Sequence, residues 1–352
     1  MKKRLSILLI AVLLLAGCGK PASQLPNPTG PVSDGNGLTV HFIDVGQADC
    51  ALLECGGEFM LIDGGNVEDS SLVVSYLEKQ GVEELSYVIC THAHEDHVGG
   101  LPGVLAVYPT KAVYCSTRTY GTDCFDDFVY YTDQQGLEVT IPAPGDQFKL
   151  SEAVITVLGP VDSYANVNDN SIVLLVQFGN NTFFFTGDME TSAENDMLEY
   201  WGSNRESWKV DVLKVGHHGS DTSTGYRFLY ELDPEYAVIS VGEGNKYGHP
   251  CEEPLSRLED AEVTLYRTDK LGTVIAVSDG TDITFSWEKG SAQPQKPAGG
   301  EETPQQYIGN KNSKTLHLPT CGSLPAEKNQ VLFDSYDEAI AQGYQPCSRC
   351  MG

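Results

Sequence analysis

A mixed α/β fold with sheets flanked by helices is what the sequence predicts, and three observations carry it. Short β-rich runs outnumber helix-like ones, they occur in succession as well as in βα pairs, and no repeat of solenoid period interrupts them. The first strands are read at Leu38–Ile43, Ala51–Glu54, Phe59–Ile62 and Tyr87–Cys90, short β-rich runs bounded by Gly or Asp. Helix-like apolar spacing with polar or Gly ends marks Ser70–Gln80, Val98–Val107, Thr191–Trp201 and Tyr226–Leu232. Later strands are read at Ile155–Leu158, Ile172–Phe178, Thr182–Thr186, Val210–Val215, Ala237–Ser240, Thr273–Val277 and Ile283–Trp287.

Composition narrows the function. A chain of 352 residues suits a large α/β domain plus something small, and 41% apolar content excludes a disordered chain. With 49 Asp and Glu against 22 Lys and Arg, the formal charge is −27. That argues against a broad non-specific binder of DNA or anionic lipid, whose affinity rests on Lys and Arg at phosphates. A polyanion would have to meet local cations. Eight histidines and ten cysteines make bound metal ions their natural source.

Two composition breaks divide the chain. Lys2, Lys3 and Arg4 precede an uninterrupted apolar run from Leu5 to Ala16. The run reads as a secretory signal, because a membrane span needs about 20 residues. Its ending, Leu15-Ala16-Gly17-Cys18, resembles the bacterial lipobox. The resemblance implies a signal over 1–18, lipidation of Cys18, and an extracytoplasmic lipoprotein anchored to the cell membrane. Residues 19–37, rich in Pro, Gly and Ser, read as a flexible tether. A second break over 289–305 reads as a linker between a body, 38–288, and a tail, 306–352.

The chemistry is concentrated at strand ends. The strand ending at Cys90 leads into Thr91-His92-Ala93-His94-Glu95-Asp96-His97, a cluster that a structural role does not explain. Alternate residues of an extended loop share a side, so His92 and His94 can grip one ion while Asp96 and His97 turn toward a second. Asp188 ends the strand Phe184-Phe185-Thr186-Gly187 and suits a bridge between two ions. Lys214-Val215-Gly216-His217-His218-Gly219-Ser220 and Tyr247-Gly248-His249-Pro250 add three more histidines. Six of the eight histidines therefore sit at strand ends or in adjoining loops, as a dinuclear hydrolase requires.

The HxHxDH run, the later Gly-Asp and the Gly-His resemble the metallo-β-lactamase superfamily. Within it, Phe42-Ile43-Asp44-Val45-Gly46-Gln47-Ala48-Asp49, Asn168-Asp169-Asn170-Ser171, FTGD, DVLKVGHHGS and YGHP resemble the extracellular hydrolase domain of the ComEC competence proteins. The resemblance implies a four-layer αββα sandwich with two divalent metals, zinc or manganese, at one edge of the sheets. It implies His92 and His94 as first-site ligands, Asp96 and His97 as the second-site pair, Asp188 as the bridge and His217 as the last second-site ligand, with His218 the alternative. It also implies a nuclease, since those competence domains are regarded as degrading one strand of incoming DNA. One departure stands out: no histidine lies between His97 and His217, where the superfamily has a third first-site ligand. Asn168 falls near that position, which favours manganese alongside zinc because manganese accepts oxygen-rich shells.

The expected chemistry is hydrolysis by a hydroxide shared between two cations about 3.5–4 Å apart. Asp96 contributes directly, and His249 or His218 would supply the proton to the leaving oxygen. Asn168, Asn170, Lys214 and Ser220 are candidate phosphate contacts, with local loop roles as the alternative. Asp44, Gln47 and Asp49 read as turn and supporting groups, and His41 as structural.

In the tail, His317-x3-Cys321 followed by Cys347-x2-Cys350 gives four ligands suited to one structural zinc. So small a segment has little core of its own, and a metal supplies what burial cannot. A disulfide between Cys347 and Cys350 is the competing reading. The segment resembles the zinc-binding domain of the Ada DNA-repair protein, with His317 where the first of four cysteines would stand. Similar tails accompany secreted nucleases, which favours DNA or another phosphodiester as substrate; no obligate protein partner is indicated. Two readings compete: hydrolysis of another ester (a phosphocholine ester, nucleotide, lactone or β-lactam), or a non-catalytic DNA receptor.

Overall fold

The computed structural model describes residues 37–202, 208, 210–297, 307–319, 321–333, 336–347 and 349–351. The expected signal, Cys18 and nearly all of the tether lie outside the described residues. Two large sheets face each other. The first runs, in spatial order, Ile283–Trp287, Val274–Ser278, Leu38–Phe42, Ala51–Cys55, Glu58–Ile62, Leu85–Cys90, Thr110–Cys115 and Val139–Thr140. The second runs Thr264–Arg267, Tyr236–Ile239, Val212–Lys214, Asn181–Phe185, Val173–Phe178, Ala153–Gly159 and Gln147–Leu150.

Side-chain alternation builds three apolar layers from these strands. Leu38, Val40, Phe42, Leu53 and Met60 face Ile155, Leu174, Val176, Phe183 and Val212 between the sheets. The intervening residues Leu52, Leu61 and Val88 point outward, under Val73, Leu77, Val104, Phe125 and Phe128 of helices Ser70–Lys79, Leu101–Val107 and Asp123–Gln134. On the far side Leu175, Phe184 and Leu213 lie under Met197, Phe228 and Leu258 of helices Thr191–Trp201, Tyr226–Leu232 and Glu252–Asp260. The body is thus the four-layer αββα sandwich.

Each sheet is antiparallel in one half and parallel in the other. The parallel set is Glu58–Ile62, Leu85–Cys90, Thr110–Cys115 and Val139–Thr140 in the first sheet. In the second it is Asn181–Phe185, Val212–Lys214, Tyr236–Ile239 and Thr264–Arg267. Parallel strands deliver their C-terminal ends to one edge, where α/β folds place their ligand sites.

The helix expected over Val98–Val107 is two pieces, Glu95–Val98 and Leu101–Val107, broken at Gly99-Gly100. A Cβ on Gly100 would lie 2.0 Å from the carbonyl oxygen of Gly64, so only glycine lets the metal-loop segment pack against the preceding strand end. Strands Thr110–Cys115 and Thr264–Arg267 and helices Asp123–Gln134 and Glu252–Asp260 were not anticipated. Each interleaves its few buried residues with polar ones, and their pairing partners are distant in sequence. The expected linker is also corrected over its first part: Gln295 exchanges two backbone hydrogen bonds with Leu265, 2.8 and 2.9 Å, and adds to the body's edge.

The tail forms a separate four-stranded sheet, Gln330–Phe333, Tyr307–Asn310, Thr315–His317 and Gln345–Pro346, with helix Tyr336–Ala341. Its core is Tyr307, Leu316, Phe333, Ala339, Tyr344 and Met351. Tyr336 packs on Tyr230 of the body, with ring centroids 4.7 Å apart.

Candidate metal centre

Asp188 lies at the middle of the site, and its two carboxylate oxygens face different histidine groups. Oδ2 is 3.8 Å from Nε2 of His92 and 3.8 Å from Nε2 of His217. His94 closes on His92, with Nδ1 3.1 Å from His92 Nε2. Oδ1 lies 3.3 Å from Nε2 of His97 and 3.7 Å from Nε2 of His218. Asp96 completes that side, 3.3 Å from His218 Nε2. The ligand atoms of Asp96, His97, Asp188 and His218 all lie within 4.8 Å of one another.

This donor set fits divalent metal. His97 Nε2, His218 Nε2 and Asp188 Oδ1 are buried, converge, and make no hydrogen bond. Buried polar atoms without partners are rare in native proteins, and a cation between them satisfies all three at once. The outer nitrogens are held. His97 Nδ1 meets Asp63 Oδ2 at 2.8 Å, and His218 Nδ1 meets the Ser240 carbonyl at 3.0 Å and Asp49 Oδ1 at 3.2 Å. Partners of this kind fix ring orientation and make the inner nitrogen a better donor. Asp63 itself accepts from the Thr91 amide and hydroxyl at 2.7 and 2.8 Å.

Electrostatics follow from burial and charge packing. Burial opposes charge on His97, but Asp188 and Asp63 outweigh it and hold its pKa well above the usual value. Burial likewise opposes charge on His218; Asp188 and Asp49 bring it up to about 10. His92 is pushed well below, by burial first and then by His97. Burial favours the neutral acid at Asp188, yet His97 and His218 hold its pKa well below the carboxylate range. Four negative carboxylates and crowded imidazoles in one buried volume are what bound cations would balance.

The tandem histidines split between the two groups, and of the two alternatives for the place beside Asp96 and His97 it is His218 that lies there. Both residues take left-handed backbone, φ 48° and 53°, so their rings leave the turn on different sides of Asp188. His218, 1% exposed, faces Asp96 and His97, whereas His217 joins His92. His217 thereby stands where the sequence lacks its third first-site histidine. His218 turns Nε2 toward Asp96 and Asp188 and is buried among the ligand groups, whereas the half-buried His249 ring is 5.6 Å from that of His217. Strain at two consecutive non-glycine residues is the kind of local cost that functional sites sustain.

Three expected phosphate contacts are committed elsewhere. Lys214 is buried and pairs with Asp49 at 2.8 Å, a structural ion pair. Ser220 is 4% exposed and bonds Thr222 Oγ1 at 3.0 Å. Asn170 spends its amide on Tyr164 and Asn166, closing a turn. Asn168 does sit at the site: its Nδ2 lies 3.4 Å from His217 Nε2 and its buried Oδ1 has no partner. Asp63, Ser171 and Glu190 escaped the sequence reading. Ser171 Oγ donates to the Asn168 carbonyl and accepts from the Asp188 amide, and Glu190 accepts from Asn168 and lies 3.4 Å from His217 Nδ1. For Asp63, the strand end followed by Gly64-Gly65 was a usable signal; Glu190 had none.

The tail brings His317, Cys321, Cys347 and Cys350 together with ligand atoms within 4.8 Å of one another. His317 Nδ1 is 3.4 Å from Cys321 Sγ, and the Leu318 amide donates to Cys350 Sγ. The nine cysteines from Cys50 onward are free thiols, so Cys347 and Cys350 are available as ligands.

Comparison with known proteins agrees with this geometry. Residues 43–243 match the family model described as the metallo-beta-lactamase superfamily, and residues 303–351 match the metal binding domain of Ada. ComE operon protein 3 of Bacillus subtilis is 28% identical over 67% of this chain and 32% of its own length. Competence protein ComA of Neisseria gonorrhoeae is 30% identical over 75% of this chain and 35% of its own. Recombination protein 2 of Haemophilus influenzae is 29% identical over 71% and 29%. The chain thus spans about a third of the length of these relatives. With more than half of its length matched by the family model, the chain belongs to the metallo-beta-lactamase superfamily and carries an Ada-type metal-binding domain behind it.

Proposed function

We propose that this hydrolase is a metal-dependent phosphodiesterase, and specifically a cell-surface nuclease acting on DNA. The observation that carries the reading is the division of Asp188 between two ligand groups. His92, His94 and His217, with Asp188 Oδ2 and Asn168, would hold one zinc or manganese; Asp96, His97 and His218, with Oδ1, would hold the second. When bound, such ions acidify water and neutralise the charge that builds on phosphate during attack. The remaining work falls to the chain. Asp63 and Asp49 keep the His97 and His218 rings aimed inward, and Asp188 fixes the spacing of the groups. His249, half-buried beside His217, would pass a proton to the leaving oxygen.

Relatives named for competence and recombination support DNA as the substrate. The basic and apolar N-terminal segment ending at Cys18 supports an extracytoplasmic, lipid-anchored location, and the Cys3His cluster of the tail supports one structural zinc. The test is release of nucleotides from DNA by the chain lacking residues 1–18, titrated with manganese and with zinc. Asp96→Ala should lower turnover roughly a thousandfold, about 4 kcal/mol of transition-state stabilisation, with one metal equivalent lost. If the wild type releases nothing from DNA in either metal but cleaves bis(p-nitrophenyl) phosphate, the nuclease reading fails.

A further inference from the structure

The loop after strand Tyr236–Ile239 carries a feature that the metal chemistry leaves unused. Asn245 organises it: its Nδ2 donates to the carbonyls of Gly242 and His249 at 2.9 and 2.6 Å, and its Oδ1 accepts from the amides of Tyr247 and His249, each at 3.1 Å. The base of the loop is tied as well. Gly242 donates to Gln47 Oε1 at 3.1 Å, and Cys251 donates to the Gly219 carbonyl at 2.8 Å. Lys246, Tyr247 and Gly248 are therefore held outward on a fixed frame.

Tyr247 is 57% exposed, although its ring stacks at 5.7 Å and 26° on His249. His249 in turn meets His217 at 5.6 Å, beside Asp188. Three rings thus lead from solvent to the metal centre, and two ring-to-ring steps span the reach of one or two nucleotides. Lys246 Nζ sits 5.0 Å from the Tyr247 centroid and makes no ion pair among the described residues. Tyr120 lies 6.2 Å from His94, but it packs on Phe125 and is only partly exposed.

We infer that this loop is a nucleoside platform: Tyr247 stacks on the base next to the scissile phosphate, and Lys246 pairs with an adjoining phosphate, so the substrate is a single strand. The inference rests on the phosphodiesterase reading and deepens it. Bases inside a duplex have both faces covered, so an unpaired nucleotide is what an exposed ring two ring steps from the centre can take. The body, residues 38–288, holds 42 acidic and 12 basic residues, which leaves a duplex without the cationic track it needs. Stacking tolerates any sequence and is worth about 1–3 kcal/mol per base.

The test is equilibrium binding of a fluorescein-labelled, hydrolysis-resistant phosphorothioate oligonucleotide to the metal-loaded chain, read by anisotropy. Tyr247→Ala should weaken binding roughly five- to 150-fold, the equivalent of that stacking energy. Tyr247→Phe should bind as the wild type does, and Lys246→Ala should flatten the salt dependence. Replacing single bases by abasic spacers should, at one position, erase the difference between wild type and Tyr247→Ala. Unchanged binding by Tyr247→Ala, an equal loss on every abasic strand, or duplex bound as tightly as single strand overturns the platform. If the wild type still cleaves DNA in those cases, the phosphodiesterase reading survives; if it neither binds nor cleaves any oligonucleotide, both fall together.

Discussion

The body and the tail each gather metal ligands, yet they do so in opposite ways. In the body, ligands come from the ends of three strands in two sheets, and each buried imidazole is oriented by a carboxylate, carbonyl or hydroxyl behind it. Three apolar layers hold those strands. In the tail, sulfur ligands sit on two short segments over a core of six residues. One site is made by the fold; the other helps make the fold. The difference is one of burial, because a small module cannot cover enough apolar surface to offset its chain entropy.

Chelation should expose this contrast most strongly. Structural zinc in small modules contributes about 10–16 kcal/mol of apparent binding energy, so EDTA should abolish hydrogen-exchange protection across residues 307–351 while the body stays protected. Body strands that exchange along with the tail would break the comparison. Next in size is Lys214→Met, which leaves Asp49 charged and buried. Burial alone would raise the Asp49 pKa, but Lys214 and His218 hold it down at about 2. Losing the pair should cost about 3–5 kcal/mol in denaturant unfolding of the body, with little change in KM. A large KM effect without loss of stability would return Lys214 to the substrate.

His41 offers a pH test of the body remote from both metal groups. It is buried against Tyr76, and burial lowers its pKa to about 4 from the ordinary 6.5. Between those values the unfolded chain binds the extra proton, so stability present above pH 6.5 is lost as pH falls toward 4, by about 3 kcal/mol. His41→Phe should flatten that slope in acid titrations monitored by melting. The smallest expected effect is in the tail. A Cβ on Gly309 would lie 2.4 Å from the Tyr344 ring and 2.6 Å from the Phe333 ring. Gly309→Ala should cost about 1–3 kcal/mol, read as weaker metal retention in competition with a chelator. No change in retention would mean that the tail core contributes nothing to holding its ion.

Much of this was legible in the chain. Metal ligands cluster locally because adjacent residues at one strand end reach one ion, so His92, His94, Asp96 and His97 announce themselves. His317 with Cys321, and Cys347 with Cys350, do the same. Most strands with continuous apolar character were placed to within a residue or two, as Ile283–Trp287 and Ala51–Cys55 illustrate. Strands near the sheet margins, such as Thr110–Cys115 beside the two-residue edge strand Val139–Thr140 and Thr264–Arg267 at the end of the second sheet, were not, since they mix polar with apolar residues and their identity depends on partner strands. Lys214 was misread for a similar reason: a lysine after two apolar strand residues looks available to phosphate until Asp49 is found opposite it.

What the sequence determined by itself is the kind of chemistry: the residue types, their spacing, and the two metal-binding segments, because these are local properties of neighbouring side chains. What tertiary structure alone decided is the partition. Two left-handed residues in succession send His217 to His92 and His218 to Asp96, and the meeting of two sheets sets Asp188 between them. No spacing rule encodes that choice, since it depends on backbone dihedrals and on groups brought together from distant strands. Residue identity fixes what can bind an ion; only the packed sheets fix which residues share one.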